Sequence, residues 1–168
     1  YRPFSDPCFS GMIYTDMYCG NTIEGGQESV TIDLVLRWRN QYYGGTKSQF
    51  WHSEKNSFDG MLVTTGPRFP EVVSSFLKQA LLNLPAEFPV RGPREFHANE
   101  VEHENVKTHG KWTYANSWKA MPIFGTEDPF ASYVGQEIIS LNGIEIYWHS
   151  YQGGLIRDKY FPLVIESK

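Results

Sequence analysis

GQEIISLNGIEIYWHSYQGG, Gly135–Gly154, restates without a gap the line GQESVTIDLVLRWRNQYYGG, Gly26–Gly45. The columns Gly26/Gly135, Gln27/Gln136, Glu28/Glu137, Tyr42/Tyr151, Gly44/Gly153 and Gly45/Gly154 are identical, six of twenty. Unrelated segments of ordinary composition match at about one column in such a window. Val30/Ile139, Asp33/Asn142, Val35/Ile144 and Trp38/Tyr147 add conservative pairs. A looser echo lies upstream, YTDMY at Tyr14–Tyr18 against YANSW at Tyr114–Trp118.

Each repeat, spanning about 14–45 and 114–154, predicts an extended entry strand followed by a hairpin. Asn142-Gly143 is a strong two-residue turn signal. The simplest register from that turn pairs Leu141 with Ile144, Ile139 with Ile146 and Glu137 with Trp148. It puts His149 on the opposite face, beside Gln136. In the first repeat the same register sets Glu28 opposite Arg39 and Val30 opposite Arg37, although Asp33-Leu34 is poor turn chemistry. Between the repeats, Phe50–Val63 reads as a hairpin region. PEVVSSFLKQALLNLP then predicts a helix over about 70–84, with Val72, Val73, Phe76, Leu77, Ala80, Leu81 and Leu84 on one stripe. Pro70 suits its first turn and Pro85 stops it. The expected fold is α+β, a curved antiparallel sheet from two pseudo-symmetric hairpin repeats with one main helix packed on it, in a single domain over 1–168. Equivalent residues should then converge on a pseudo-twofold axis.

Composition narrows the function. Eleven Phe, ten Tyr and five Trp favour strands and give many side chains with one polar end. A formal charge of −4 argues against nucleic acid as a direct partner. No apolar stretch reaches the length of a membrane span. Cys8 and Cys19 could pair across a short loop, but small buried side chains are the plainer expectation. The compartment is left open, with the cytoplasm as the expectation. P-loop, zinc-protease, nucleophile-elbow and dinucleotide signatures are absent, and no cofactor is expected.

The twin glutamates are the first site candidates. Glu137, set against Trp148 on an apolar face, should resist ionisation, whereas Glu28 opposite Arg39 should not. Such a split is what an acid and a base need. Register-keeping ion pairs are the commoner role for such residues. Arg91, in VRGPREF, is the arginine expected to face inward, since Gly92-Pro93 fixes a tight turn behind it. It could clamp an anionic ligand or form a buried salt bridge with Glu28 or Glu137. Tyr42, Tyr151, Trp38, Tyr147, Tyr14 and Tyr114 could line an aromatic cage, or pack a core with their hydroxyls bonded to backbone. His149 is a further candidate, with Asn40 as its counterpart. His97, His103 and His109 fit no standard metal spacing, and no metal site is expected.

The motifs GQE…W…YYGG, FLKQAL, FPVRGPREF, YANSW and GQEI…YQGGLI, from about Tyr14 to Ile156, resemble a bacterial domain family of unknown function, DUF5680. Members often lie behind a helix-turn-helix in transcription regulators, a pattern that does not precede Tyr14 here. The resemblance implies a compact mixed domain that serves as a ligand sensor, and it supplies no catalytic residues. The leading expectation is a small-molecule-binding domain with an aromatic cleft between the halves. The alternatives are a cofactor-independent isomerase, cyclase or hydrolase using Glu137 as acid and Glu28 as base, and a structural module that dimerises through an exposed sheet edge.

Overall fold

The computed structural model describes residues 11–20, 22–50, 56–58, 61–63, 69–83, 91–104, 106–121 and 131–156. The first repeat forms β1 (Met12–Gly20), β2 (Ile23–Ile32) and β3 (Val35–Thr46). A short hairpin follows, β4 (Asn56–Phe58) with β5 (Met61–Val63), and then the helix α1 (Phe69–Leu82). The remaining strands are β6 (Glu95–His103), β7 (Val106–Ala120), β8 (Tyr133–Leu141) and β9 (Ile144–Leu155). Seven of them make one antiparallel sheet in the order β1-β2-β3-β9-β8-β7-β6, curled into a half-barrel. The α+β architecture is as expected from the sequence.

Read inward from either side, β1-β2-β3 and β7-β8-β9 are the same unit. They meet where β3 pairs with β9, and Tyr42 lies directly opposite Tyr151. These are equivalent residues of the repeat, so the pseudo-twofold axis passes through that pair.

Both hairpin turns place two residues in the left-handed region. Asn142 and Gly143 have φ of 54° and 84°, and Asp33 and Leu34 have φ of 50° and 65°. The first repeat thus makes the turn its sequence disfavours, with Leu34 fully outside the core. The register departs from the simple one in the same way in both repeats. Leu141 pairs with Ile144 as expected, but a β-bulge between Ile139 and Ser140 then shifts the ladder. Ile139 faces Tyr147, and Glu137 faces His149 rather than Trp148. The equivalent bulge between Val30 and Thr31 puts Trp38 opposite Val30 and Asn40 opposite Glu28. One extra residue on the second strand, Ile146 or Arg37, turns every later side chain over. Trp148 therefore points outward, and His149 is buried.

The helix packs on β6 and β7, on the sheet's inner face. Val72, Val73, Phe76, Leu77 and Ala80 are buried with Trp112, Ile139, Leu141 and Ile146. Phe76 lies 5.1 Å from Trp112 and 5.5 Å from Phe96, ring centre to ring centre. Burying side chains of this size contributes roughly 1.5–3 kcal/mol each. The helix covers the second half of the sheet. Tyr14, Asp16, Glu24, Glu28 and Trp38, on the inner face of the first half, remain half-buried. Among the described residues no helix is long and apolar enough to cross a membrane. Cys19 is exposed rather than buried, and Cys8 and Leu84 lie outside the described residues.

Candidate functional site

The repeated motif explains itself at the axis. Across the inner face, Tyr18, Gly26, Tyr42, Tyr151, Gly135 and Trp118 form one row of cross-strand neighbours. A Cβ at Gly26 would overlap Cζ and the hydroxyl of Tyr42, and one at Gly135 would overlap the same atoms of Tyr151. Each glycine lets a tyrosine lie across its neighbouring strand and reach the strand beyond. Tyr42 donates to Asp16 Oδ1 at 2.7 Å, and Tyr151 donates to Asn116 Oδ1 at 2.6 Å. Asp16 and Asn116 sit at matching places in the YTDMY and YANSW echoes.

The glutamates two residues on are held in the same symmetric way. Tyr14 donates to Glu28 Oε1 at 3.1 Å, and Tyr114 donates to Glu137 Oε1 at 2.7 Å. The β3 and β9 residues facing them supply the next contact. Asn40 Nδ2 donates to Glu28 Oε2 at 2.7 Å, and His149 Nδ1 lies 2.8 Å from Glu137 Oε2. Glu137 is fully buried, while the Glu28 side chain is 16% exposed.

One cation joins the halves. Arg91 donates from Nε to Glu137 Oε2 at 3.0 Å and from Nη1 to Glu28 Oε2 at 3.1 Å. Its guanidinium also lies 5.0 Å from the Tyr42 ring centre and 5.7 Å from that of Tyr151. Arg91 comes from outside both repeats, on the segment leading into β6. Asn116 Nδ2 donates to Gly92 O at 3.0 Å, and Asn116 N donates to Arg94 O at 2.8 Å, fixing that segment against β7. The Arg91 backbone has φ of 55°, a conformation that costs a non-glycine residue about 1 kcal/mol or more.

A family model for a domain of unknown function, DUF5680, matches residues 16–156, which hold this whole network apart from Tyr14. The chain belongs to the DUF5680 family. No curated protein and no solved structure matches it.

The electrostatics of this DUF5680 domain follow from the geometry. Burial alone would push the Glu137 carboxyl up, but Arg91, His149 and the Tyr114 hydroxyl together bring it below its usual 4.5. The expectation that Glu137 resists ionisation rested on Trp148 facing it. The bulge puts His149 there instead, so Glu137 stands as a carboxylate and not as a proton donor. Burial opposes the Arg91 charge, yet Glu137 and Glu28 outweigh it and hold the guanidinium protonated. Burial first, and then neighbouring carboxylates, push Tyr14, Tyr42, Tyr114 and Tyr147 above the usual phenol value. These hydroxyls are hydrogen-bond donors, not bases.

All ten residues singled out in the sequence lie on this one face. Glu28, Glu137, Arg91, Tyr14, Tyr42, Tyr114, Tyr151 and His149 form the network. Tyr147 and Trp38 flank it as equivalent residues. Tyr147 donates to Glu24 Oε1 at 2.9 Å, and Trp38 packs against the cluster of Tyr42, Tyr133 and Tyr151. Glu24 and Tyr133 are themselves counterparts, two places before Gly26 and Gly135. The ion-pair role of Arg91 is realised with both glutamates at once. Sequence reading missed Asp16, Asn116, Glu24 and Tyr133 and named Asn40 only as the counterpart of His149, although each sits at a matched position of the repeat, which was the available signal. His97, His103 and His109 stand apart, facing Glu95, Glu71 and Glu100 respectively. Among the described residues no three metal-ligating side chains gather.

Proposed function

We propose that this domain binds a small molecule on the inner face at the pseudo-twofold centre. The ligand enters from the first half and rests against the tyrosines and the Glu28–Arg91–Glu137 bridge. The observation that carries this reading is the bridge itself, one guanidinium on the axis joining a sealed carboxylate to a partly open one. A buried ionic triad is seldom more stable than apolar residues of the same volume, so stability alone is a weak reason for it. The half-buried residues on the first half, Tyr14, Asp16, Glu28 and Trp38, supply hydrogen-bonding groups and aromatic area where a ligand can reach them. A bound molecule would meet Glu28 first, since Arg91 and Glu137 lie behind it. The depressed Glu137 and the protonated tyrosines give the acid/base alternative no support.

A thermal-shift screen of the whole chain against a broad metabolite panel, run in parallel with Glu28→Gln, tests the reading. Binding raises the melting temperature with the logarithm of ligand concentration. The expected result is a compound that stabilises the intact domain and loses most of its effect in the variant. Silence across the panel would overturn the proposal, and so would a hit indifferent to Glu28→Gln.

A further inference from the structure

Besides Asp16/Asn116 and Trp38/Tyr147, the two halves differ around one pair of rows. In one row, Glu28, Asn40, Gly153 and Tyr133 are successive cross-strand neighbours. Its symmetric mate runs through Glu137, His149, Gly44 and Glu24. Asn40 donates to Glu28 on one side, and on the other its Oδ1 lies 3.5 Å from the Tyr133 hydroxyl. His149 is bonded to Glu137 on one side only. Its ring is 1% exposed, and Nε2 has no hydrogen-bond partner among the described residues. The residue in the Tyr133 position is Glu24, whose shorter side chain accepts from Tyr147 and does not reach the imidazole. Buried polar atoms left without a partner are costly and rare, so Nε2 calls for one.

What that partner must be follows from the donors and acceptors. Glu137, ionised, only accepts, so its 2.8 Å contact makes Nδ1 the nitrogen that bears the proton. A neutral ring then presents a bare lone pair at Nε2. The Cδ2 edge beside Nε2 lies against Gly44, whose neighbour on the next strand is Glu24. The imidazole packs between Tyr42 and Tyr147, at 5.0 and 5.8 Å between ring centres. Those two tyrosines donate to Asp16 and Glu24. Among the described residues the network sets four formally negative side chains, Asp16, Glu24, Glu28 and Glu137, against the one guanidinium of Arg91.

We infer that the ligand carries a cationic N–H donor, a protonated amine or amidine, lodged between His149 Nε2 and the Glu24 carboxylate. One N–H is accepted by the imidazole and another by the carboxylate. The group takes the place that the Tyr133 hydroxyl holds in the other half. The charge balance of the face favours a cation over a neutral hydroxyl. This inference rests on the small-molecule reading above and names the chemistry of its ligand.

Two measurements on the whole chain test it. Nitrogen-15 resonances of the His149 ring report its protonation directly. The inference requires a neutral ring with the proton on Nδ1, and a doubly protonated ring in the absence of any ligand would overturn it. The second measurement titrates three probes of one shape, benzylammonium, benzyl alcohol and benzoate, following the same resonances and the melting temperature. Benzylammonium should shift Nε2 and bind at least about tenfold more tightly than benzyl alcohol, with benzoate inert. Glu24→Gln should remove that preference. Glu24→Tyr, which copies the other half, should block the ammonium probe while the protein remains folded. Equal response to the three probes, or an ammonium effect untouched by Glu24→Gln, would overturn it. If the metabolite screen yields a Glu28-dependent hit while benzylammonium is inert, the binding reading stands and this inference falls. If neither binds, both fall.

Discussion

Gly135→Ala puts the account of the repeated motif at most risk. The added methyl group would overlap Cζ and the hydroxyl of Tyr151. Tyr151 is 3% exposed and anchored to Asn116 at 2.6 Å, so the ring has nowhere cheap to go. If it swings away, a buried hydrogen bond breaks and Asn116 loses a partner, which costs about 1–3 kcal/mol. If the strands part instead, overpacking costs a similar ~1–3 kcal/mol. Alanine recovers roughly 0.5–1 kcal/mol through its smaller entropy loss in a strand. The net loss should be about 0.5–2.5 kcal/mol, or roughly 1–10 °C in melting temperature for a chain of this size. Urea unfolding of Gly135→Ala, Tyr151→Leu and the double variant closes a mutant cycle. With the ring tip gone, the methyl group should be nearly free, and a coupling of about 1 kcal/mol or more is expected. A Gly135→Ala cost below about 0.5 kcal/mol, or the same cost in both backgrounds, would refute the reasoning.

Breaking the buried bridge should be equally visible. Glu137→Gln leaves Arg91 half-paired and should cost about 3–5 kcal/mol at pH 7. Because the folded-state pKa of Glu137 is depressed, its contribution is present above the unfolded value near 4.5 and is lost as pH falls through the lower folded value. Urea midpoints between pH 7 and pH 3 should therefore fall more steeply in the parent than in Glu137→Gln, and parallel curves would contradict this. Arg91→Lys should also destabilise, by about 2 kcal/mol or more, because an ammonium cannot span two carboxylates as the guanidinium fork does. Retention of full stability by calorimetry would show that one carboxylate suffices. Leu34→Gly relieves a left-handed leucine that is 88% exposed and should stabilise by about 0.5–1 kcal/mol. An unchanged or lower melting temperature would count against strain at that turn.

The sequence displays the architecture more clearly than the site. Periodicity marks α1 because five of its stripe residues are buried on the sheet, and Asn142-Gly143 marks the second hairpin because its backbone needs positive φ. Asp33-Leu34 hides the first hairpin, since the partner strands there impose a turn its own chemistry resists. The register is illegible for a more instructive reason. Both repeats carry a bulge at the same step, so comparing them leaves an unbulged alignment equally consistent. That single residue decides whether Glu137 meets an indole or an imidazole, and with it the sign of its pKa shift. Arg91 could be matched to Glu28 and Glu137 beforehand because inward arginines need carboxylates. Asp16 and Asn116 could not be placed, since only the flat-lying tyrosines bring them into the network.

The duplication also accounts for the lone arginine. A repeat that puts one glutamate near the axis in each half brings two like charges together, and their repulsion grows as the site dries. A basic residue within the repeat would arrive twice and crowd the axis. One guanidinium supplied from outside it can serve both carboxylates, because its fork offers Nε to one and Nη1 to the other. That arrangement needs a backbone held at an unfavourable φ by a neighbouring strand, and Asn116 does so through Gly92 and Arg94. Asn116 is therefore more than the counterpart of Asp16. An aspartate there would add a further carboxylate beside Glu137 and lose the amide that donates to Gly92. The two halves keep the residues whose geometry both require, the glycine, the glutamate and the tyrosine. They diverge at the places that a single asymmetric cation must reach.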